Sequence, residues 1–399
     1  MPKKYKFIVV GCGGIGSAAC YWLSRLHGSD VLGIEQFALD HGRGESDDHS
    51  RIIRLSYHSP VYTALAPSAY EAWHEVEAEA GLQLVFKTGG LDLDSDIEYL
   101  KGLANAMDVD HIPYQWLSPA EVMQRWPQFR LPKDISCLYQ ADSGLVDARQ
   151  ATATHISLAK SRGATILPNT QVQSIQLKPD SALVTTTQGV FEAEKLIIAS
   201  GPWTNQVLKP WGITLPLAVT QEQVTYYKTP HLDEFSPDRF PVWLWHYGAS
   251  EHYYGLPVYG EAATKAGIDL GGKSVTANTR SFEPDQRMTK ELYKMLSQHI
   301  PNFLGPVHYT KTCLYTLTPD RDFVLDTIPG NPNVAVVVGA GHAFKFASLL
   351  GRILSQMIGE EDTTYPIQAF KIDRPALTDT NFKPTQASLH FTPETTRAE

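Results

Sequence analysis

The hydrophobic pattern changes period near the start of the chain. Tyr5-Lys6-Phe7-Ile8-Val9-Val10 rises to a continuous apolar run that stops at Gly11, which predicts a parallel strand buried on both faces. Ile15, Ala18, Ala19, Trp22, Leu23 and Leu26 then recur at helical spacing, and Gly28 is placed to end that helix. Val31 to Ile34 predicts a second strand, which runs into Glu35. The pattern returns far downstream. Lys195 to Ala199 predicts a strand closing on the small-residue turn Ser200-Gly201-Pro202-Trp203. Val334 to Val338 predicts another, followed by the loop Gly339-Ala340-Gly341-His342 and a helix marked by Leu349, Leu350, Ile353, Leu354 and Met357. Between these stretches, Tyr226, Tyr227, Trp243, Trp245, Tyr253 and Tyr254 fit the half-buried surface of a mixed or antiparallel sheet.

The chain has 399 residues, more than one compact core usually holds, so two lobes are expected. The fold class read from the pattern is α/β (α+β mixed): a Rossmann-like nucleotide-binding lobe to which the chain returns, plus a second, substrate lobe. The expected division assigns 1–83, 146–215 and 318–380 to the first lobe, 84–145 and 216–317 to the second, and 381–399 to an irregular tail.

Gly11, Gly13 and Gly16 match G-x-G-x-x-G, with a strand before them, a helix after them and Glu35 placed 24 residues beyond Gly11. Glycines let the backbone turn sharply against a pyrophosphate, the helix start presents free N–H groups to it, and the carboxylate can accept ribose hydroxyls. In this context the motif predicts dinucleotide binding. The motif alone does not separate FAD from NAD; the two later strand-to-loop elements point to FAD. A helix N-terminus after the Gly339–His342 loop could stabilise negative charge on a flavin ring.

Charge narrows the partners. The 34 basic and 43 acidic residues give a net charge of -9 without a Lys/Arg cluster, which argues against nucleic acid. No apolar run approaches the roughly 18 residues of a membrane span. Cys12, Cys20, Cys137 and Cys313 are scattered without metal-ligand spacing, so no metal and a reducing compartment are expected. Neither a secretory leader nor a peroxisomal tripeptide is read at the ends, and a cytoplasmic location is the expectation.

With these residues assembled, the chain resembles the monomeric sarcosine oxidase and N-methyltryptophan oxidase family, covalent-FAD amine oxidases, over nearly its whole length. The most specific stretch is Lys311-Thr312-Cys313-Leu314-Tyr315-Thr316-Leu317-Thr318-Pro319-Asp320, followed by Asp322 to Asp326. The resemblance implies FAD attached covalently at Cys313, a bond that needs a reactive thiolate near the ring. It implies that Arg51 of Arg51-Ile52-Ile53-Arg54 lies beside the flavin and that Arg54 holds the substrate carboxylate, as a planar guanidinium can do bidentately. Gly341-His342-Ala343-Phe344-Lys345 resembles the family stretch whose lysine is the second carboxylate partner. Lys265, after Tyr253-Tyr254-Gly255-Leu256-Pro257, takes the place of the lysine that promotes reaction with O2, where a fixed cation stabilises charge developing on oxygen. By the same resemblance, Tyr254, Tyr315 and His342 join Lys265 and Arg51 as catalytic candidates. Tyr254, Tyr315 and Asp269 join Arg54 and Lys345 around the substrate. The cofactor set is Gly11, Gly13, Gly14, Ile15, Gly16, Glu35, Ser50, Arg51, Val172, Gly201, Cys313, Gly341, His342 and Lys345.

Each of these residues has a plainer reading from sequence. Cys313 fits a small buried hydrophobe, Arg51 and Arg54 a solvated helix face, and Lys265 and Lys345 exposed surface positions. The chain also departs from the family pattern at Glu45-Ser46-Asp47-Asp48-His49-Ser50, where a Ser-His-His-like stretch is common, at Asp269, often histidine, and at Ala343, usually glycine. The resemblance implies oxidation of a sarcosine-like secondary amino acid by O2 to an imine, with H2O2 as by-product, by a monomer. The alternatives left open are an oxidase for N-methyltryptophan, a cyclic imino acid or a glycated amino acid, a flavin dehydrogenase, and a flavin-binding module with a degenerate pocket.

Overall fold

The computed structural model of the chain describes residues 2–247, 251–359 and 363–383. Residues 384–399 of the expected irregular tail lie outside the described residues. Three sheets organise the described residues.

In the eight-stranded sheet, Lys3–Val10 runs parallel to Val31–Ile34 on one side and to Gly189–Ile198 on the other. Gly189–Ile198 in turn runs parallel to Asn331–Val338, so the four apolar runs read from sequence are neighbours in space. Thr165–Leu167 extends the parallel set beyond Val31–Ile34, while Val172–Leu177, Ala182–Thr186 and Val324–Ile328 add antiparallel strands. Ile8, Val9, Leu196 and Val336 are fully buried, because helices and loops cover both faces. The helix Gly14–His27 packs on Ala347–Gly359. Gly351 makes that close approach possible, since a Cβ there would lie 2.5 Å from the Ala18 Cβ.

The second sheet has nine strands. Ala218–Tyr227 is central, flanked by Thr264–Asp269, Lys273–Val275 and the long Val307–Leu317, all antiparallel to it. Beyond Thr264–Asp269 follow Glu251–Leu256, Val242–Tyr247, Gly90–Asp94, Ser136–Gln140 and Gln115–Leu117. The predicted aromatic residues divide by the period-two rule. Tyr227, Trp243, Trp245 and Tyr253 turn to the back and pack on Met288, Leu292, Met295 and Leu296 of the helix Gln286–His299. Tyr226 and Tyr254 alternate to the front. The third sheet is small, with Ser50–Ile53 and Val85–Lys87 both antiparallel to Gly144–Asp147. Arg51 therefore lies on a strand, which removes the solvated-helix reading of Arg51 and Arg54.

Candidate active site

The glycine turn is built as its sequence requires. Gly11 sits at φ +92°, and a Cβ at Gly16 would strike the Gly11 carbonyl oxygen, so neither position admits a side chain without moving backbone. Glu35 closes the turn, its Oε2 accepting the Cys12 N–H at 3.0 Å and its Oε1 lying 3.2 Å from His41 Nε2. Ser46 Oγ accepts the Gly14 N–H at 2.8 Å. A cavity of about 350 Å³ opens over this turn, lined by Gly11, Gly13, Gly14, Ile15, Glu35, Val172, Gly201 and Gly339 among others. Glu45 also lines it, with Oε1 buried and unpartnered among the described residues and its carboxyl pushed up to about 7 by burial. A side-chain-free cradle and an orphaned buried oxygen fit a dinucleotide such as FAD.

The rest of the site stands on the front of the nine-stranded sheet, because residues paired directly across strands share a face. One row is Asp92, Leu244, Tyr254 and Gly267; the next is Asp94, His246, His252 and Asp269. Lys265 pairs with Tyr226, Glu222 with Cys313 and Thr220 with Tyr315, which sets Cys313, Tyr315 and Lys265 on the same face. Lys265 and Asp269 are four residues apart on one strand, about 13 Å at strand rise. Gly267 lies between them and has no side chain. A Cβ there would sit 2.7 Å from the Tyr254 hydroxyl, so the middle of the face is left to that ring.

At one end of the face is a buried charge cluster. Asp48 Oδ2 lies 2.7 Å from both Lys265 Nζ and Arg51 Nη1. Asp48 Oδ1 accepts the Tyr226 hydroxyl at 2.6 Å and the His49 N–H at 2.9 Å. Lys265 also donates to the Ser50 carbonyl at 2.6 Å. Burial pushes the Asp48 carboxyl up, but Lys265 and Arg51 outweigh it and hold it far below the usual carboxylate range. Burial and Arg51 bring Lys265 down to about 8 against the opposing pull of Asp48. The Cys313 thiol is pushed up to about 11 by burial, with Arg51 the main opposing influence.

At the other end the cations Arg54, Arg321 and Lys345 stand near Asp92 and Asp269. Arg54 Nη1 donates to Asp92 Oδ1 at 2.9 Å, while Ser56 holds Asp92 Oδ2 at 2.7 Å. Arg321 Nη1 lies 3.3 Å from Asp269 Oδ2. Lys345 donates to the His342 carbonyl at 2.9 Å and forms no ion pair among the described residues. Burial, then Arg54, brings Lys345 down to about 7. Both arginines touch a carboxylate, whereas Lys345 feels Asp269 only at a distance.

Of the predicted residues, Lys265, Arg51, Tyr254, Tyr315, Asp269, Arg54, Lys345, Cys313 and the Ser50 carbonyl converge on this face or its edge. His342 is turned aside. Its Nε2 donates to the Arg321 carbonyl at 2.8 Å, its ring packs against Tyr62 and Phe323, and burial drives its pKa far down. The imidazole shapes the turn that carries Arg321. Gly341, at φ +80°, brings the chain against the Tyr315 ring, where a Cβ would meet Cδ2 at 2.8 Å. The α-helix Ala347–Gly359 starts beyond the loop, with the 3₁₀ turn Ala343–Phe346 interposed. Asp47 points elsewhere, pairing with Arg149 at 3.0 Å and with Lys311. Sequence reasoning missed Asp48, Asp92, Arg321 and Tyr226. The only signal for Asp48 was its place in the departing Glu45–Ser50 stretch; Asp92 and Arg321 sit in patterns typical of a solvated strand face and an exposed turn.

Among the described residues no helix is long and apolar enough to cross a membrane, and no His/Cys/Asp/Glu cluster could hold a metal ion. A family model described as FAD dependent oxidoreductase matches residues 6–357. Monomeric sarcosine oxidase of Arthrobacter sp. (strain TE1826) is 30% identical over 383 residues, 94% of this chain and 98% of the relative. Peroxisomal sarcosine oxidase of Homo sapiens is 31% identical over 375 residues, 92% of this chain and 95% of the relative. Among solved structures, the open form of NikD, an unusual amino acid oxidase essential for nikkomycin biosynthesis, is similar with a TM-score of 0.82 at 28% identity, covering 92% of this chain and 97% of that one.

Proposed function

The chain belongs to the FAD-dependent oxidoreductase family, in the group that includes the monomeric sarcosine oxidases, and on that premise we propose that it oxidises a secondary amino acid of the N-methylglycine type with O2. The observation that carries this reading is the pair of charge clusters on one sheet face, with the bare Gly267 and the Tyr254 ring between them. FAD, when bound, accepts the hydrogen and electron pair from the carbon beside the amine nitrogen and hands the two electrons to O2, giving H2O2. In this reading Gly11, Gly13, Gly14, Ile15, Gly16, Glu35, Val172 and Gly201 hold the nucleotide, and Cys313 forms the covalent link. Arg54 and Lys345 bind the substrate carboxylate, while Tyr254 and Tyr315 wall the amine so that its C–H is presented in one orientation. Lys265, beside Arg51, stabilises the negative charge that develops on oxygen. Water hydrolyses the imine product to an aldehyde and a primary amino acid. The relatives named monomeric support a monomer, and the four free cysteines support a reducing, cytoplasmic setting.

A second reading of the substrate is an amino acid whose side chain also hydrogen-bonds. Asp92, Asp269, His246 and His252 on the same face favour it, because each offers a polar group beside the carboxylate clamp. Anaerobic mixing of the FAD-loaded protein with sarcosine, longer N-methyl amino acids and cyclic imino acids tests both readings. Bleaching of the flavin band by one of them, with colour and H2O2 returning in air, is the expected outcome. A flavin that none of them bleaches overturns the proposal, and bleaching that air does not reverse makes the protein a dehydrogenase.

A further inference from the structure

We propose that Asp48 is a positioning residue for the oxygen reaction: its carboxylate keeps Lys265 a fixed ammonium alongside Arg51. The inference rests on the role proposed above for Lys265 and adds a residue that acts through it.

Asp48 is 2% exposed and Lys265 3%, so neither charge has water to fall back on. A buried carboxylate survives only with partners for both oxygens, and Asp48 has four. Tyr226 and the His49 N–H hold Oδ1, which fixes the direction in which Oδ2 meets Lys265 and Arg51. The two cations come from different elements, Arg51 from the strand Ser50–Ile53 and Lys265 from Thr264–Asp269, and Asp48 is the shared counter-ion that lets them stand side by side.

The groups facing Lys265 make the dependence specific. Arg51 opposes its charge; Tyr226, Tyr254 and Tyr309 are phenols pushed up by burial; Cys313 is a thiol pushed up by burial, and an uncharged thioether once it carries the flavin. Only Asp48 among them is a carboxylate in contact with the ammonium. Even with Asp48 present, burial and Arg51 bring Lys265 down to about 8. Without that carboxylate burial and Arg51 both favour the neutral amine and only the smaller influence of Cys313 opposes them, so Lys265 would lose its proton more readily and also lose the partner that aims it.

The test is stopped-flow reoxidation of the reduced, FAD-loaded enzyme by O2 as a function of pH, with the flavin absorption spectrum followed over the same range. Lys265→Met should be slower at every pH, on the order of 10²–10³-fold, as when one charge-stabilising group is removed. The wild type should lose rate only as pH rises through about 8. Asp48→Asn should match Lys265→Met at and above neutral pH and recover toward the wild-type rate as pH falls, with a spectral titration at the same displaced midpoint. Asp48→Glu retains the charge and should restore most of the wild-type profile. Asp48→Asn with Lys265→Met should be no slower than Lys265→Met alone and should show no titration. If Lys265→Met is reoxidised at the wild-type rate, the oxygen role of Lys265 falls and this inference with it. If Lys265→Met is slow but Asp48→Asn keeps the wild-type midpoint, Asp48 alone is overturned. Should Asp48→Asn not fold, the Glu variant decides: a midpoint shifted far below that of the wild type refutes the charge argument.

Discussion

Replacing Arg54 by alanine separates what this arginine does for the substrate from what it does for the fold. In the structure its guanidinium is paired with Asp92, which is 2% exposed and keeps the Ser56 hydroxyl and the more distant His246 ring, 3.9 Å away, once Arg54 is gone. Leaving one charge of such a pair buried costs about 3–5 kcal/mol of stability. Losing a charge-assisted contact to a bound carboxylate costs a further 2–5 kcal/mol of affinity, roughly 30- to 4,000-fold in Kd. The two effects part in Arg54→Ala/Asp92→Asn, where an amide can still accept from Ser56 and no charge is stranded. That double variant should recover most of the thermal stability and none of the affinity. The pH dependence follows from the sign of the Asp92 shift. In the wild type burial pushes this carboxyl up but Arg54, with His246 and Ser56, outweighs it, so the folded pKa lies below the unfolded value; the stabilisation is present above the unfolded pKa and is lost as pH falls through the folded one. In Arg54→Ala burial is opposed only by His246 and Ser56, so the folded pKa should rise, and the destabilisation should be largest at high pH and shrink on acidification. The assays are thermal unfolding by circular dichroism and titration with acetate followed by flavin absorbance. Unchanged acetate affinity in Arg54→Ala would remove it from the carboxylate site. A double variant no more stable than Arg54→Ala would refute the stranded-charge reasoning.

Three further outcomes are expected. Acid-precipitated wild-type protein should stay yellow and Cys313→Ser should not; a colourless wild-type pellet with the mass of the bare chain refutes the thioether. Carboxylate inhibitors should bind best below pH 7 and weaken as pH rises through about 7, where burial and Arg54 set the loss of the Lys345 proton. Lys345→Met should flatten that dependence, and an unchanged profile in this variant assigns the titration elsewhere. Gly267→Ala places a methyl 2.7 Å from the Tyr254 hydroxyl, so it should raise KM while leaving the FAD content at the wild-type level; an unaltered KM would show that the middle of the face is not where substrate sits.

The glycine turn, its strand and helix, and the return of the chain through Gly189–Ile198 and Asn331–Val338 were legible because each is local: a period, a stop and a side-chain-free turn within about twenty residues. The aromatic stretches likewise announced a sheet, though alternation alone could not say which of Tyr226 and Tyr227 would face the site. The resemblance supplied Arg51, Arg54, Lys265, Cys313 and Lys345 as individual residues without their partners. Tertiary structure decided the partners, since they come from remote positions: Asp48 meets Lys265 across 217 positions, Asp92 meets Arg54 across 38, and Asp269 meets Arg321 across 52. Leu91-Asp92-Leu93-Asp94 has the alternation of a strand with one solvated face, and only the sheet order shows that its polar face is turned inward to the site. Sequence periodicity reports the local geometry of each element, whereas the sign of the charge beside a lysine or arginine depends on which distant strand is brought against it, and that is a property of the folded chain alone.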